Sequence, residues 1–486
     1  MGSEPLFPLH HRWEVMPLGE VCRRGGGNVQ TGPFGSQLHA SDYVSDGIPS
    51  VMPQNIGDNK ILYTGIAKIT REDAERLSKY RMREGDIVYS RRGDVERRAL
   101  VRKTEDGWLC GTGCLRIRFG DEFVYPRYAA HYLGHPSVRE WIVRHAHGAT
   151  MPNLNTTILS ELPFVLPPWS AQVLIGDAIE AYDRKLDLNR RINQTLEAMA
   201  QAIFQSWFVN FDPVKAKVAA IQEGRDPLRA AMTAVSGKAD AELDALPPEQ
   251  YEQLAATAAL FPDEMEASEL GEIPRGWGIS TVGQVAEVIK GKSYSSKDLI
   301  DNTQTALVTL KSFERGGGFR MDGFKPYVGA FKPTQVVEPG ELIVAYTDVT
   351  QAAELIGRPA IVVGVDKYQT LVASLDVGIV RPHLDQVSRQ FLFGLFSTDA
   401  FQAHTFAHTS GTTVLHLAKE GVPSFRFAKP PTDLINNFSN YADPVVAMKQ
   451  SALDQVAALT QLRDALLPKL LSGELQVQQA ETEAVA

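Results

Sequence analysis

The chain repeats itself at long range, and that duplication constrains its folding more than any other feature. Trp13, Leu18, Gly19 and Val21 stand 264 residues before Trp277, Val282, Gly283 and Val285, so WEVMPLGEV answers WGISTVGQV. Gly85, Asp86, Ile87 and Val88 answer Gly340, Glu341, Leu342 and Ile343. From about residue 114 the offset becomes 263: Tyr128 falls on Phe391, Gly148 on Gly411, Thr150 on Thr413, and Pro167 and Pro168 on Pro430 and Pro431. Leu196, Met199, Ala202, Ile203 and Phe204 fall on Leu459, Leu462, Ala465, Leu466 and Leu467. Each half therefore runs globular segment, Pro-Pro, long helix. At 486 residues the chain is long enough for two to four domains with real cores, and duplication accounts for two of them.

The globular halves read as mixed α/β with strands in the majority. MREGDIVYSRRGD (82–94) and VEPGELIVAYTDV (337–349) each set a turn glycine before a short β-rich run, which RPAIVVGV (358–365) and LVASLDVGIVRP (371–382) continue. Helices are expected over 125–146, broken by Pro136, and over 388–407, broken around Ser397. After Pro167 and Pro168 comes a long amphipathic helix with Ser170 as a cap, and the 4, 3, 4 spacing of Ile192, Leu196, Met199 and Ile203 predicts a coiled-coil seam. In the second half Asp443 and Pro444 read as a cap and first helical position. Val456, Leu459, Leu462, Leu466 and Leu470 follow as the seam, with Gly473 as the stop. Neither helix is expected to stand alone, so the two are expected to pair antiparallel as a stalk, with Phe204, Trp207 and Leu467 joining the pairing or a docking face. Residues 212–274 do not repeat; rich in Ala, Glu, Asp and Pro, they read as an acidic surface linker.

Net charge, 49 basic against 58 acidic residues, argues at first against a nucleic-acid partner. Residues 1–165, however, hold 21 Lys and Arg against 19 Asp and Glu, and 275–431 hold 16 against 14. The acid excess sits in 166–274 (9 against 18) and 432–486 (3 against 7), which leaves two slightly basic segments free to approach phosphate. Cys22, Cys110 and Cys114 are too few for a disulfide framework and fit a reducing cytoplasm. No apolar run approaches a membrane span and the first residues lack a signal-peptide pattern.

Catalytic signatures fail on inspection. VIKGKS (288–293) imitates the end of a phosphate-cradling loop, but its leading glycine would fall on Ala286. The Pro-Pro pairs follow Leu166 and Lys429, which rules out an Asn-Pro-Pro-aromatic methyltransferase motif. Cys110, Cys114, His131 and His135 have zinc-ligand chemistry, yet their counterparts at the repeat offset are Ala373, Val377, Gly394 and Thr398. Both cysteines therefore read as buried strand or turn residues, with no metal bound, and His145 and His147 read as surface histidines.

Several stretches together carry a family likeness: TGPFGSQLHASDYV (31–44), GDIVYSRRGD (85–94), NRRINQTLEAMAQAIFQSWFVNFDP (189–213), SELGEIPRGW (268–277) and LRDALLPKLLSGEL (462–475). The chain resembles the specificity subunit of a type I restriction-modification system over nearly its whole length. The resemblance implies two α/β target-recognition domains (1–168 and 275–431) reading the halves of a split sequence in double-stranded DNA. It implies a central helical spacer (169–211) and a C-terminal one (432–475) that pair antiparallel with pseudo-two-fold symmetry, the acidic linker between them in sequence and a flexible tail over 476–486. It further implies two modification (methyltransferase) subunits and restriction/translocase subunits as partners. S-adenosylmethionine, ATP and Mg would belong to those partners, leaving this chain non-catalytic, without a cofactor of its own, and cytoplasmic.

Base reading by polar loop side chains, Arg toward guanine and Asn or Gln toward adenine, selects candidates in each half. They are Gln30, Gln37, Gln54, Asn55, Arg91, Arg92, Arg97 and Arg98 in the first. In the second they are Lys292, Ser293, Tyr294, Lys311, Tyr346, Thr347, Asp348, Thr350 and Gln351. Two alternatives stay open here: a partner-independent DNA-binding regulator, which would need a helix-turn-helix or a strongly basic domain, and a coiled-coil scaffold indifferent to DNA sequence.

Overall fold

The computed structural model describes residues 4–11, 13–120, 123–148, 152–315, 317–350, 352–364 and 367–475. The expected tail at 476–486 lies outside the described residues. Contacts divide the chain into two units, Met1–Asn189 with Asp454–Ala486, and Arg190–Leu453. The boundary cuts each long helix, so each unit owns one globular region and a piece of both helices.

In the first unit an antiparallel sheet runs in the order Gly26–Thr31, Cys114–Gly120, Ile87–Ser90, Arg98–Leu100. A second sheet runs Tyr43–Val44, Ala67–Ile69, Ile48–Val51, Leu109–Cys110, its last pair parallel. A third pair joins Glu14–Pro17 to Pro163–Leu166, ending where Pro167 and Pro168 can no longer donate to a ladder. Helices Pro126–Tyr132 and Pro136–His145 break at Pro136 as expected, and the His135 side chain accepts the Ser137 amide proton at 3.2 Å to cap the second. Tyr128, Tyr132 and Phe164 are fully buried between these helices and the sheets.

The second unit repeats the plan, with the parallel pair of its second sheet central rather than at the edge. One sheet runs Ala286–Lys290, Val377–Pro382, Leu342–Ala345, Pro359–Ile361; the other runs Lys325–Pro326, Thr305–Val308, Thr370–Ala373, Val336–Val337, again with one parallel pair. Gly278–Thr281 pairs with Arg426–Lys429, and helices Arg389–Phe396 and Asp399–Ala407 break around Ser397. Gly85 and Gly340, the turn glycines ahead of matching strands, hold φ of +88° and +90°, a left-handed backbone that other residues adopt only with strain. A small three-stranded sheet, Thr347–Asp348, Leu415–Leu417, Thr409–Ser410, completes this unit.

The first long helix covers Trp169–Phe204 and passes into a π-turn, Gln205–Val209. It starts directly after Pro168, so Ser170 lies inside the first turn rather than at the cap. The second covers Thr432–Leu471 without interruption, so Asp443 and Pro444 are interior residues and not its start. Pro444 costs one backbone hydrogen bond, but the buried side chains of Leu434, Ile435, Phe438 and Ala442 hold the turns before it against the core. Gly473, at φ +75°, follows the last turn as expected. In the first unit Arg463 donates to Asp183 at 3.0 Å and Asn189 to Gln455 at 3.2 Å; one number rises as the other falls, so the pair is antiparallel. The Lys449–Glu197 ion pair continues the same register in the second unit.

Residues 212–274 are more than a surface linker. They form helix Asp212–Gln222 and then helices Pro227–Ser236, Asp240–Leu243 and Pro248–Ala259 around a small core of Ala231, Met232, Leu243, Leu254 and Ala258. The Thr257 hydroxyl donates to Asn437 Oδ1 on the second long helix at 3.1 Å. Alanine supplies much of this core, and its low hydrophobicity hides the helical period in a polar-looking sequence. Among the described residues no helix is long and apolar enough to cross a membrane.

Candidate nucleic-acid interface

In the first unit the strand Gly26–Thr31 opens into a loop at Gly32, where a Cβ would stand 2.1 Å from the Gly111 carbonyl oxygen. The loop carries Phe34 outward, 53% exposed, and Gln37 closes it: its Oε1 accepts from Tyr80 Oη at 2.7 Å and from the Phe34 amide at 3.2 Å. The Arg91 guanidinium lies 5.8 Å from the Phe34 ring centroid, and its Nε donates to Asn153 Oδ1 at 3.4 Å. Arg92 is exposed beside it, and Asn153 forms backbone bridges with both Arg92 and His147. Phe34, Arg91, Arg92, His147 and Asn153 thus converge from three separate loops into one cationic, partly aromatic surface suited to base edges and phosphate.

The remaining candidates of this unit divide. Gln54 is exposed in a short helical turn, and Arg97 is exposed in an ion pair with Asp94 at 2.8 Å. Asn55, Arg98 and Gln30, by contrast, are structural residues. Asn55 is fully buried, accepting from the Met52 amide and donating to the carbonyls of Leu62 and Thr64. Arg98 is 6% exposed, its Nε on the Ala130 carbonyl at 2.8 Å and its Nη1 on Asp58 at 3.1 Å. Gln30 Oε1 accepts from the buried Arg116 at 2.7 Å, alongside Asn28. A buried cation needs such acceptors, which is why these polar residues turn inward.

In the second unit Ser293 and Lys311 are exposed and Lys292 is half-buried. Tyr294 is half-buried, its hydroxyl accepting from Lys325 Nζ at 3.1 Å. Tyr346, Thr347 and Asp348 are buried, contrary to a reading role. Tyr346 packs beside Gly378, and Thr347 lies in the small sheet. Asp348 accepts the amides of Thr350 (2.6 Å), Leu355 (2.6 Å) and Ile356 (2.9 Å) and so shapes the loop 348–356. Burial opposes its charge, but those donors hold the carboxyl below the usual carboxylate range. Thr350 Oγ1 accepts the Glu354 amide at 2.9 Å, and Gln351 lies outside the described residues. Further exposed polar surface here comes from Ser410, Thr412, Thr413 and His416, none of them among the sequence candidates. The repeat held the signal, since Gly148 and Thr150 match Gly411 and Thr413.

The helix face also differs from expectation. Phe204 and Trp207 are buried among Phe208, Phe391 and Phe438, and Leu470 is buried with Leu466 and Leu467 packed against the first unit's core. Ile192, Leu196, Ile203 and Leu459 are half-buried, whereas Met199 and Leu462 are 53% and 46% exposed. The buried line on the first helix runs through Leu186, Asn189 and Asn193 toward Phe204, about 120° around the helix from Met199. A seam with polar residues in its middle leaves the apolar period on its flank. Cys110 and Cys114 are buried strand residues, and among the described residues no cluster of three His, Cys, Asp or Glu side chains is placed to hold a metal.

Residues 11–198 match the family model of the type I restriction modification DNA specificity domain. Over 448 residues the chain is 28% identical to the type I restriction enzyme HindI specificity subunit of Haemophilus influenzae, covering 88% of this chain and 95% of that protein. It is 19% identical over 471 residues to the type I restriction enzyme MjaIX specificity subunit of Methanocaldococcus jannaschii, covering 96% and 94%. Its fold is similar to the crystal structure of a type I restriction-modification S subunit from M. genitalium, with TM-score 0.52 and 12% identity over 96% of this chain and 99% of that one.

Proposed function

We propose that the chain is a specificity subunit of the type I restriction-modification family and that each of its two units reads one half of a bipartite DNA target. The observation that carries this reading is the duplication itself: one recognition fold built twice in a single chain, with the same strand order in its antiparallel four-stranded sheet and different loop side chains. Two similar readers with unlike side chains fit two unlike half-sites, as two subunits of a dimeric repressor fit two like ones. In the first unit Arg91, Arg92 and Asn153, with the exposed Gln54 and Arg97, are the side chains we assign to DNA; in the second, Lys292, Ser293, Lys311 and His416.

The same reading makes this chain the non-catalytic member of a cytoplasmic complex. Two modification subunits would dock on the long helices and restriction/translocase subunits would join them. S-adenosylmethionine, ATP and Mg would be handled by those partners. The test is to purify the chain alone and with its modification subunits. The expected result is no methyl transfer, ATP hydrolysis or cleavage by the chain alone, and methylation at one split sequence by the complex. Turnover of a methyl donor by the isolated chain would overturn the assignment.

A further inference from the structure

Both units carry the same three-segment ladder in the same register. In the first, backbone bridges join Arg92 to Asn153 and His147 to Asn153; in the second, Thr347 pairs with His416 and Ser410 with His416. The offsets are those of the sequence repeat, 255 from Arg92 to Thr347 and 263 from His147 to Ser410 and from Asn153 to His416. Side chains on these rungs differ between the units: Arg, His and Asn against Thr, Ser and His.

A glycine follows the middle segment of the ladder in both units. Gly148 and Gly411 hold φ of +105° and +104°, and in the sequence Thr150 answers Thr413. A Cβ on Gly411 would stand 2.1 Å from the Val414 carbonyl oxygen, so glycine is required there on two counts. Gly411, Thr412 and Thr413 are exposed. The surrounding sequence is stripped of negative charge. No Asp or Glu occurs between Glu140 and Glu161 or between Asp399 and Glu420, although 58 of the 486 residues, about one in eight, are acidic. A twenty-residue gap at the same place in both copies is a charge pattern that suits an anion.

Two domains that read different half-sites need different side chains where they touch bases and the same ones where they touch what all DNA shares. We propose that the turn at Gly411–Thr413 holds the sugar-phosphate backbone of DNA irrespective of sequence. The Thr412 and Thr413 hydroxyls would donate to phosphate oxygens, and the glycine would keep the turn flat enough for close approach. This rests on the reading that each unit contacts DNA.

The experiment uses the full chain assembled with its modification subunits, as wild type and as Thr413→Lys, Thr413→Ala and Thr413→Glu. Each is titrated with a duplex carrying the methylated target and one with that target scrambled, from 50 to 200 mM salt, and each methylome is sequenced. Thr413→Lys is expected to tighten both duplexes and steepen the salt slope by about 0.9, the contribution of one added phosphate contact. Thr413→Glu is expected to weaken both by a similar factor, on the order of tenfold, with Thr413→Ala in between. The ratio of the two affinities and the methylated sequence are expected to stay unchanged. An altered target, or a loss confined to the target duplex, would show that the turn reads bases; equal affinities across the series would show that it does not touch DNA. Either result overturns the proposal. Opposite shifts for Lys and Glu at one exposed position cannot come from misfolding. A wild-type complex that binds neither duplex would overturn the underlying reading instead.

Discussion

Arg91 and Arg98 lie seven positions apart and have opposite fates, which makes them a useful pair for mutation. Arg91 stands at the surface on Phe34 and Asn153. Replacing Arg91 or Asn153 by Ala is expected to leave folding intact and relax one half-site by about 1–3 kcal/mol of discrimination, read as extra sequences in the methylome. Arg98→Ala removes a buried donor from Asp58 and the Ala130 carbonyl. It is expected to destabilise the first unit by about 1–3 kcal/mol in denaturant titration without rewriting the target. Extra methylated sequences from Arg98→Ala, with stability unchanged, would reverse these roles.

His131 supplies a pH dependence at the same scale. Burial, reinforced by the charge of Arg98, drives it down to about 3, and it sits 3.9 Å from both Glu180 and Asp183 on the first long helix. An unfolded histidine takes up a proton as pH falls through about 6.5, and the folded one does not until about pH 3. Its contribution to stability is therefore complete above about pH 6.5 and declines as pH falls toward 3, by about 1.4 kcal/mol per pH unit. His131→Gln is expected to remove that share of the slope between pH 6.5 and 5, measured by denaturation; an unchanged slope would exclude His131 as its source.

At the scale of elements, the long helices carry two kinds of apolar residue. Phe204 and Trp207 are core residues, and truncating Phe204 to Ala is expected to cost about 3–5 kcal/mol. Met199 and Leu462 are exposed, as are Leu188 and Met448. Charging them, as in Met199→Glu or Leu462→Glu, is expected to change stability by no more than about 0.5 kcal/mol, as at ordinary surface positions. If these side chains dock modification subunits, the same changes will weaken assembly in size-exclusion or calorimetric titration. Unfolding of either charged variant would place the residue back in the seam.

At the scale of the whole molecule, duplication makes the readers separable. Exchanging residues 13–165 for the corresponding domain of another family member is expected to change one half of the methylated target and spare the other. Each copy owns its sheets and its hydrophobic cluster, so neither needs the other's core to fold. A folded exchange protein with both halves altered would show that the readers are coupled.

The duplication, the strand-turn-strand units at Gly85 and Gly340, the breaks at Pro136 and Ser397 and the helices after each Pro-Pro pair were all legible in the amino-acid sequence. Each depends on backbone geometry that a few neighbouring residues impose, and the repeat states it twice. Which polar side chains face outward was decided by tertiary structure. Asn55 turns inward because Leu62 and Thr64 present carbonyls to it, and Arg98 because Asp58 and Ala130 do. Asp348 is taken up by amides seven and eight residues away. The helix seam is not legible in the apolar period because Asn189 and Asn193 occupy buried positions that an apolar pattern would reserve for Leu or Ile. Local geometry follows from chain order; burial is set by partners distant along the chain, so exposure had to come from the folded molecule.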